Sequence, residues 1–142
     1  MDHVVYLDYK DKELDKLREG SKSMILRGAM GRKLPYGRVK PGDRLFYIEN
    51  KGDGLIKASA TVSDVLNSDQ LTPEESAALL AQHRDQLQLG SVLLNRFGGK
   101  RYLVLISVSG FSEIAPFRID RSAYGNMDDW LPVGDIERVK IS

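Results

Sequence analysis

An alternating stretch from Leu55 to Val65 constrains the fold of this chain more than any other. Small or apolar side chains occupy every second position and polar side chains lie between them: Ile56, Ala58, Ala60 and Val62 against Lys57, Ser59, Thr61 and Ser63. A period of two is that of a β-strand with one buried face. Because the buried side chains are small, we expect another element to pack closely against an antiparallel strand here.

A partner strand precedes this stretch. Residues Arg44–Asn50 are largely apolar, follow the turn signal Pro41-Gly42-Asp43, and are linked to the alternating strand by Lys51-Gly52-Asp53-Gly54. Glycine and aspartate between two strand-like runs are typical of a hairpin connection. The two strands therefore predict an antiparallel hairpin.

Further strands and helices follow from the same reasoning. Thr72-Pro73-Glu74-Glu75 has the N-cap, first-turn proline and N3 glutamate of a helix start, which predicts a helix to about Leu87. A short helix is predicted over Asp11–Arg18, with Gly20 as its stop, and Trp130–Val133 is interpreted as a short apolar stop. The other predicted strands are His3–Leu7, Ser23–Leu26, Tyr102–Val108 at the sheet centre, Ser112–Ile119 at an edge, and Val139–Ile141.

These elements predict one α+β domain over residues 1–142, a mainly β, barrel-like unit of about six strands with two or more helices. A chain of 142 residues is long enough to bury a core. No cysteine is present, and the two histidines have no suitably spaced acidic partners, so we expect no disulfide, no metal and no cofactor. No signal peptide or membrane span is evident, and we expect a cytoplasmic protein.

Charge is unevenly distributed along the chain. From Arg18 to Lys51 there are nine Lys and Arg against three acids, a surplus of six positive charges in a chain whose total is only +1. Such a local excess favours an anionic partner.

The glycine-rich segment Gly28–Gly42 lies within this basic region. It holds four glycines and two prolines and is therefore predicted to be a loop. Arg32, Lys33 and Arg38 flank Tyr36, a combination typical of single-stranded nucleic-acid binding, in which cations follow the backbone and a ring stacks on a base. The alternative is a solvated loop whose tyrosine packs back on the sheet.

Three further residues are candidates for ligand contact. Lys22 and Arg27 could hold a phosphate or a base edge at the mouth of a cleft, or be two solvated surface cations. Asn50 could read a base edge, because an amide both donates and accepts, or could simply form the turn before Lys51.

Through Gly20, Lys22 and Arg27, and through the run from Gly42 to Asn50, the stretch Asp11–Leu66 resembles the PUA-like superfamily, in particular its ASCH and EVE branches. Gly20, Lys22 and Arg27 match the ASCH pattern Gly-x-Lys-x-x-Glu-x-Arg, in which Ile25 stands at the Glu position. An EVE-like Gly-Asp and strand are matched by the run from Gly42 to Asn50 that contains Phe46 and Tyr47.

The resemblance implies a small β barrel with helices at its mouth and a cleft beside the loop, a domain that binds RNA or modified nucleobases. Some ASCH members hydrolyse RNA or acylated nucleosides, but isoleucine can neither act as a general base nor pair with lysine. Catalysis would then need another acid, such as Glu49 or Glu113, and a binding domain is favoured over an enzyme.

We therefore predict a domain that binds RNA, another single-stranded nucleic acid or a modified nucleotide in a basic cleft beside the glycine-rich loop. The predicted contacts are Lys22, Arg27, Arg32, Tyr36, Arg38 and Asn50. Two alternatives are a hydrolase of RNA or a modified nucleoside centred on Lys22, and a protein-interaction module without a ligand pocket.

Overall fold

The computed structural model describes residues 1–141, which form six strands and four short helices. In chain order these are β1 Asp2–Leu7, α1 Glu13–Glu19, β2 Met24–Ala29, β3 Arg44–Glu49, β4 Ile56–Asn67, α2 Pro73–Gln82, α3 Arg84–Leu87, α4 Ser91–Phe97, β5 Tyr102–Phe117 and β6 Trp130–Gly134. A single 3₁₀ turn, Ile136–Arg138, follows β6.

All six strands belong to one sheet with the order β2-β5-β4-β3-β1-β6. β1 and β3 run parallel, whereas every other neighbouring pair is antiparallel. The sheet curls into a half-barrel, with β2 and β6 as its edges. The predicted α+β fold of about six strands with helices is confirmed, and the hairpin of β3 and β4 lies at the centre of the sheet.

The long strands β4 and β5 produce much of the curl. Their pairing contains three register shifts, and each shift bends and twists the strands locally. β5 is continuous for 16 residues, so the predicted strand Ser112–Ile119 is present as far as Phe117, but as a continuation of Tyr102–Val108 and not as a separate strand. Trp130–Val133 is part of edge strand β6 rather than a stop, and the predicted Val139–Ile141 strand contributes only an isolated bridge between Ile119 and Lys140.

Apolar side chains cover both faces of the sheet. The concave face carries the largest cluster, which includes Ile25, Tyr47, Ala58, Ala60 and Trp130 together with Leu14 and Leu17 of α1. On the convex face, α2, α3 and α4 pack against Leu26 and Leu105, and the chain after β6 packs against Phe46 and Phe117. The small residues of β4 are buried as the alternation predicted.

The helices begin and end at the expected signals, with two differences. Thr72 and Glu75 form the predicted capping box, but the helix ends at Gln82 and the one-turn α3 follows. α4 was not predicted, and it has no side-chain cap. Among the described residues, no helix combines the length and the apolar character needed to cross a membrane.

Candidate functional site

Arg27 connects two strands that are not neighbours in the sheet. It lies on edge strand β2, and its Nη2 donates to the carbonyl of Tyr6 on β1 at 2.7 Å. Its Nη1 donates to the carbonyl of Leu26 at 2.8 Å. We call the gap between β2 and β1 the seam. A guanidinium suits this position because its donors point in several fixed directions.

One nitrogen of this guanidinium, Nε, is buried without a hydrogen bond. Arg27 is 7% exposed, and its Nε has no hydrogen-bond partner within the described part of the chain. Asp129 Oδ2 is 3.3 Å from Nε, close enough for an ion pair but not aligned for a hydrogen bond. The guanidinium carbon is 5.7 Å from the Trp130 ring centroid, which adds a cation–π contact.

A cavity of about 160 Å³ opens beside Arg27 and the glycine-rich loop. We call it the loop cavity. Its charged and tyrosine side chains come from β2, the loop, α4, β5 and the segment before β6: Arg27, Lys33, Tyr36, Arg96, Tyr102 and Asp129. Lys33 and Arg96 are exposed, and neither has a carboxylate within 4.0 Å in the part of the chain that the structure describes.

Two tyrosine rings meet at this cavity, beside the guanidinium of Arg32. Tyr36 and Tyr102 pack edge to face, with ring centroids 5.6 Å apart. The guanidinium of Arg32 is 5.8 Å from the Tyr36 centroid and 5.5 Å from that of Tyr102. The Tyr36 hydroxyl donates to the Ser68 carbonyl at 2.6 Å, which fixes the loop to the segment after β4.

The two remaining loop and hairpin candidates lie elsewhere. Arg38 is exposed and lines neither this cavity nor the next. Asn50 is exposed and lines a second cavity of about 420 Å³, to which Arg96 also contributes. The structure thus brings Arg27, Arg32 and Tyr36 together, and relates Asn50 to them through Arg96.

Lys22 is enclosed rather than placed at the mouth of a cleft. Its side chain has no exposed area, and its Nζ donates to the Leu87 carbonyl at 2.5 Å. The Glu13 carboxylate from α1 lies 3.5 Å away. Burial lowers the pKa of Lys22, and Glu13 opposes this shift without cancelling it.

The acid beside Lys22 is therefore Glu13, not Glu49 or Glu113. Glu113 forms a surface ion pair with Arg18 at 2.7 Å. Ile25, at the Glu position of the ASCH pattern, is fully buried in the concave cluster.

The hydroxyl of Tyr47 is a further buried polar group. Tyr47 is fully buried, and its hydroxyl has no hydrogen-bond partner among the described residues. Burial, with a smaller contribution from Glu13, raises the pKa of Tyr47 above its usual value. The hydroxyl is therefore protonated at neutral pH.

Comparison with known proteins points to one fold. No family model matches the sequence, and no curated protein is significantly similar to it. A crystal structure of ASCH from Zymomonas mobilis superposes with a TM-score of 0.66 at 12% identity, covering 91% of this chain and 85% of that chain. A single-substitution variant of the same protein gives a TM-score of 0.66 at 12% identity, covering 91% and 87%. The chain has an ASCH-type fold.

Within the ASCH-type fold, the two cations that match the ASCH pattern lie in different environments. Lys22 faces Glu13 and Leu87, whereas Arg27 reaches the seam and the loop cavity. Sequence reasoning missed Glu13 and Arg96 as site residues. The position of Arg96 depends on α4, which the sequence analysis did not predict.

Proposed function

We propose that the chain acts as one domain that binds single-stranded RNA, with a base or a modified base held at the loop cavity. The observation that carries this proposal is the buried Nε–H of Arg27, which has no aligned hydrogen-bond acceptor and only the exposed Asp129 carboxylate at 3.3 Å. A buried donor without an acceptor costs about 1–3 kcal/mol. An acceptor on a base edge or a phosphate would remove that cost, which gives the cavity an affinity for such groups.

The charge of the residues that line the loop cavity supports the binding of an anionic polymer. Lys33 and Arg96 have no ion-pair partner among the described residues, and Asp129 is the only acid of the lining. Cations that are not already neutralised by the protein can release counterions from phosphates on binding. Asp129, which is 58% exposed, can turn towards solvent when an anion approaches.

Tyr36 and Tyr102 support recognition of a base. Aromatic rings at a basic surface stack on bases, and an arginine above them can add a cation–π or stacking contact. The volume of about 160 Å³ is below the ~300–1,000 Å³ of sites for drug-sized ligands. It therefore suits one base or one phosphate rather than a whole nucleotide.

The absence of cysteine is compatible with the cytoplasmic location that we propose.

Fluorescence polarisation with a 5′-labelled pentauridylate tests the proposal. We expect affinity to fall steeply as salt is raised, and Lys33→Ala to weaken binding and to flatten the salt dependence. Arg38→Ala is a matched control, because Arg38 lies in the same loop and lines neither cavity. It should weaken binding less. Affinity that is independent of salt, or equal effects of the two variants, would count against the loop cavity.

The hydrolase centred on Lys22 is a second candidate, favoured by the lowered pKa of that amine and by the adjacent Glu13 carboxylate. A lysine with a lowered pKa can act as a base or a nucleophile. Its Nζ is enclosed and bonded to Leu87, so binding is the better supported function. Labelled RNA and acylated nucleosides, incubated with wild type and Lys22→Met, test this candidate. No turnover by the wild type would exclude it for those substrates.

The interaction-module alternative predicted a cleft filled by the chain's own side chains. The loop cavity is open, and this favours ligand binding over that alternative.

A further inference from the structure

The second cavity lies beside α4 and is larger than the loop cavity, at about 420 Å³. We call it the helix cavity. Three chain segments line it: the loop after β1, the start of the β3–β4 connection, and α4 with its preceding glycine. The polar or aromatic side chains among its lining residues are Asp8, Tyr9, Lys10, Asp11, Asn50, Lys51, Ser91 and Arg96.

Arg96 lines both cavities, so the two are neighbours around a single guanidinium. The path of the backbone also shows that the two cavities are neighbours. Arg27 of the loop cavity bonds to the carbonyl of Tyr6, and the chain then enters the helix cavity at Asp8. The two cavities are therefore adjacent.

We propose that the helix cavity holds the next nucleotide of the bound strand, so that the ligand is an oligonucleotide rather than a free nucleotide. This inference rests on the proposed function. Arg96 contacts the phosphate that joins the two nucleotides, Tyr9 stacks on the second base, and Asn50 meets its edge. Lys10 and Lys51 add positive charge at the rim.

The exposure of Tyr9 supports a stacking role. Tyr9 is 57% exposed, and its hydroxyl has no hydrogen bond among the described residues. A tyrosine ring held at the edge of a basic cavity offers a flat surface to any base, because every base has a π face.

The two acids of the helix cavity are already engaged by the protein. Asp11 Oδ1 accepts from the Gly90 N–H at 2.8 Å, and Asp11 Oδ2 lies 3.3 Å from Lys16 Nζ. Asp8 Oδ1 accepts from the Asp11 N–H at 2.7 Å. These contacts hold the loop after β1 against the start of α4. They shape the cavity before ligand binds and offset the negative charge of its wall.

Calorimetric titration with uridine 5′-monophosphate and with triuridylate tests the inference. We expect wild type to bind the trinucleotide at least about 5-fold more tightly than the mononucleotide, because stacking of a base is worth a factor of about 5 to 150. Tyr9→Ala should remove most of that difference without changing the affinity for the mononucleotide. Tyr9→Phe keeps the ring and should bind the trinucleotide like wild type.

Three results would overturn the inference. Equal affinities of wild type for the two ligands would place only one nucleotide on the protein. Wild-type affinity of Tyr9→Ala for the trinucleotide would remove the second stacking site. In both cases the proposed function survives, since the loop cavity still binds. Failure of wild type to bind either ligand would reject the proposed function together with the inference.

Discussion

His3 Nε2 lies 2.8 Å from Asp43 Oδ2, and the other ring nitrogen of His3 accepts a hydrogen bond from the Trp130 indole at 3.1 Å. An indole N–H can only donate, so Nδ1 of His3 carries no proton. The proton of the neutral imidazole is therefore on Nε2 and is donated to Asp43. This arrangement fixes Trp130, whose ring also contacts Arg27 at the seam.

We expect the stability of the fold to decrease below pH 6.5 because of His3. Burial lowers the pKa of His3 from 6.5, and the Asp43 carboxylate only partly offsets this shift. Between the folded pKa and 6.5 the unfolded chain binds more protons than the folded chain. The free energy of unfolding must then fall as pH falls, by at most about 1.4 kcal/mol per pH unit for one group.

Urea denaturation of wild type and of His3→Gln at pH 7, 6 and 5 checks this expectation. The variant should be less stable at pH 7, because the Trp130 indole loses its acceptor, and its stability should fall less between pH 7 and 5. The pKa of Asp43 is lowered by the hydrogen bonds from His3 and from the Lys40 N–H, which outweigh the opposite effect of its partial burial. The stabilisation that the Asp43 carboxylate provides is present above pH 3.8 and is lost only at more acidic pH. Parallel curves for the two proteins would contradict the assignment.

Arg27→Lys tests whether the seam depends on a guanidinium rather than on a positive charge. Lysine has a single nitrogen and cannot reach both the Tyr6 and the Leu26 carbonyls. We expect the free energy of unfolding to fall by about 2–3 kcal/mol, the scale of one hydrogen bond from a charged donor. Arg101→Lys is the control, since Arg101 is exposed and has no side-chain bond within the described residues; it should change stability by less than about 0.5 kcal/mol. Similar losses in both variants would contradict the role of Arg27.

A double-mutant cycle measures the pairing of Glu13 with Lys22. Removing one member of a buried ion pair leaves the other uncompensated, so Glu13→Gln and Lys22→Met should each cost about 3–5 kcal/mol. The double variant should lose less than the sum of these two losses, by about 1–3 kcal/mol. Equilibrium unfolding in urea gives all four values. Losses that simply add would show that the 3.5 Å contact carries no coupling.

Tyr47→Phe and Tyr36→Phe form a matched pair, because each removes one hydroxyl. The Tyr47 hydroxyl is buried without a partner, so its removal should leave stability unchanged or raise it by up to about 1 kcal/mol. The Tyr36 hydroxyl bonds to Ser68 at 2.6 Å, and its removal should cost about 1 kcal/mol. Thermal and urea unfolding of the two variants give the comparison. A clear loss of stability in Tyr47→Phe would mean that its hydroxyl has a partner in solution.

The regular parts of the fold could be predicted from local signals. The alternation of β4 and the capping box at Thr72 determine structure within a few residues, and both lie where expected. α4 could not be predicted, because a helix of seven residues with glycine as its N-cap has little local preference for helical structure. The continuity of β5 through Pro116 also depends on tertiary pairing, with a bulged register accommodating the proline.

The site was harder to predict than the fold. Lys22 and Arg27 were expected at a surface because charged side chains are rarely buried, yet both are covered once the sheet curls. Glu13 lies on α1, on the far side of the turn before Lys22, and the carbonyls of Tyr6 and Leu87 belong to the backbone, which has no residue signature. Arg32 and Tyr36 could be paired in advance because both belong to one short loop.

The contact between Asp11 and Gly90 has a consequence for the evolution of related chains. A β-carbon at position 90 would lie 2.2 Å from Asp11 Oδ1, so any larger residue there displaces the carboxylate. Positions 11 and 90 are separated by 79 residues, yet a larger residue at position 90 is accommodated only if Asp11 moves or is replaced. In an alignment of homologues that keep this geometry, an aspartate in the first column should occur with a glycine in the second, and the two should be replaced together.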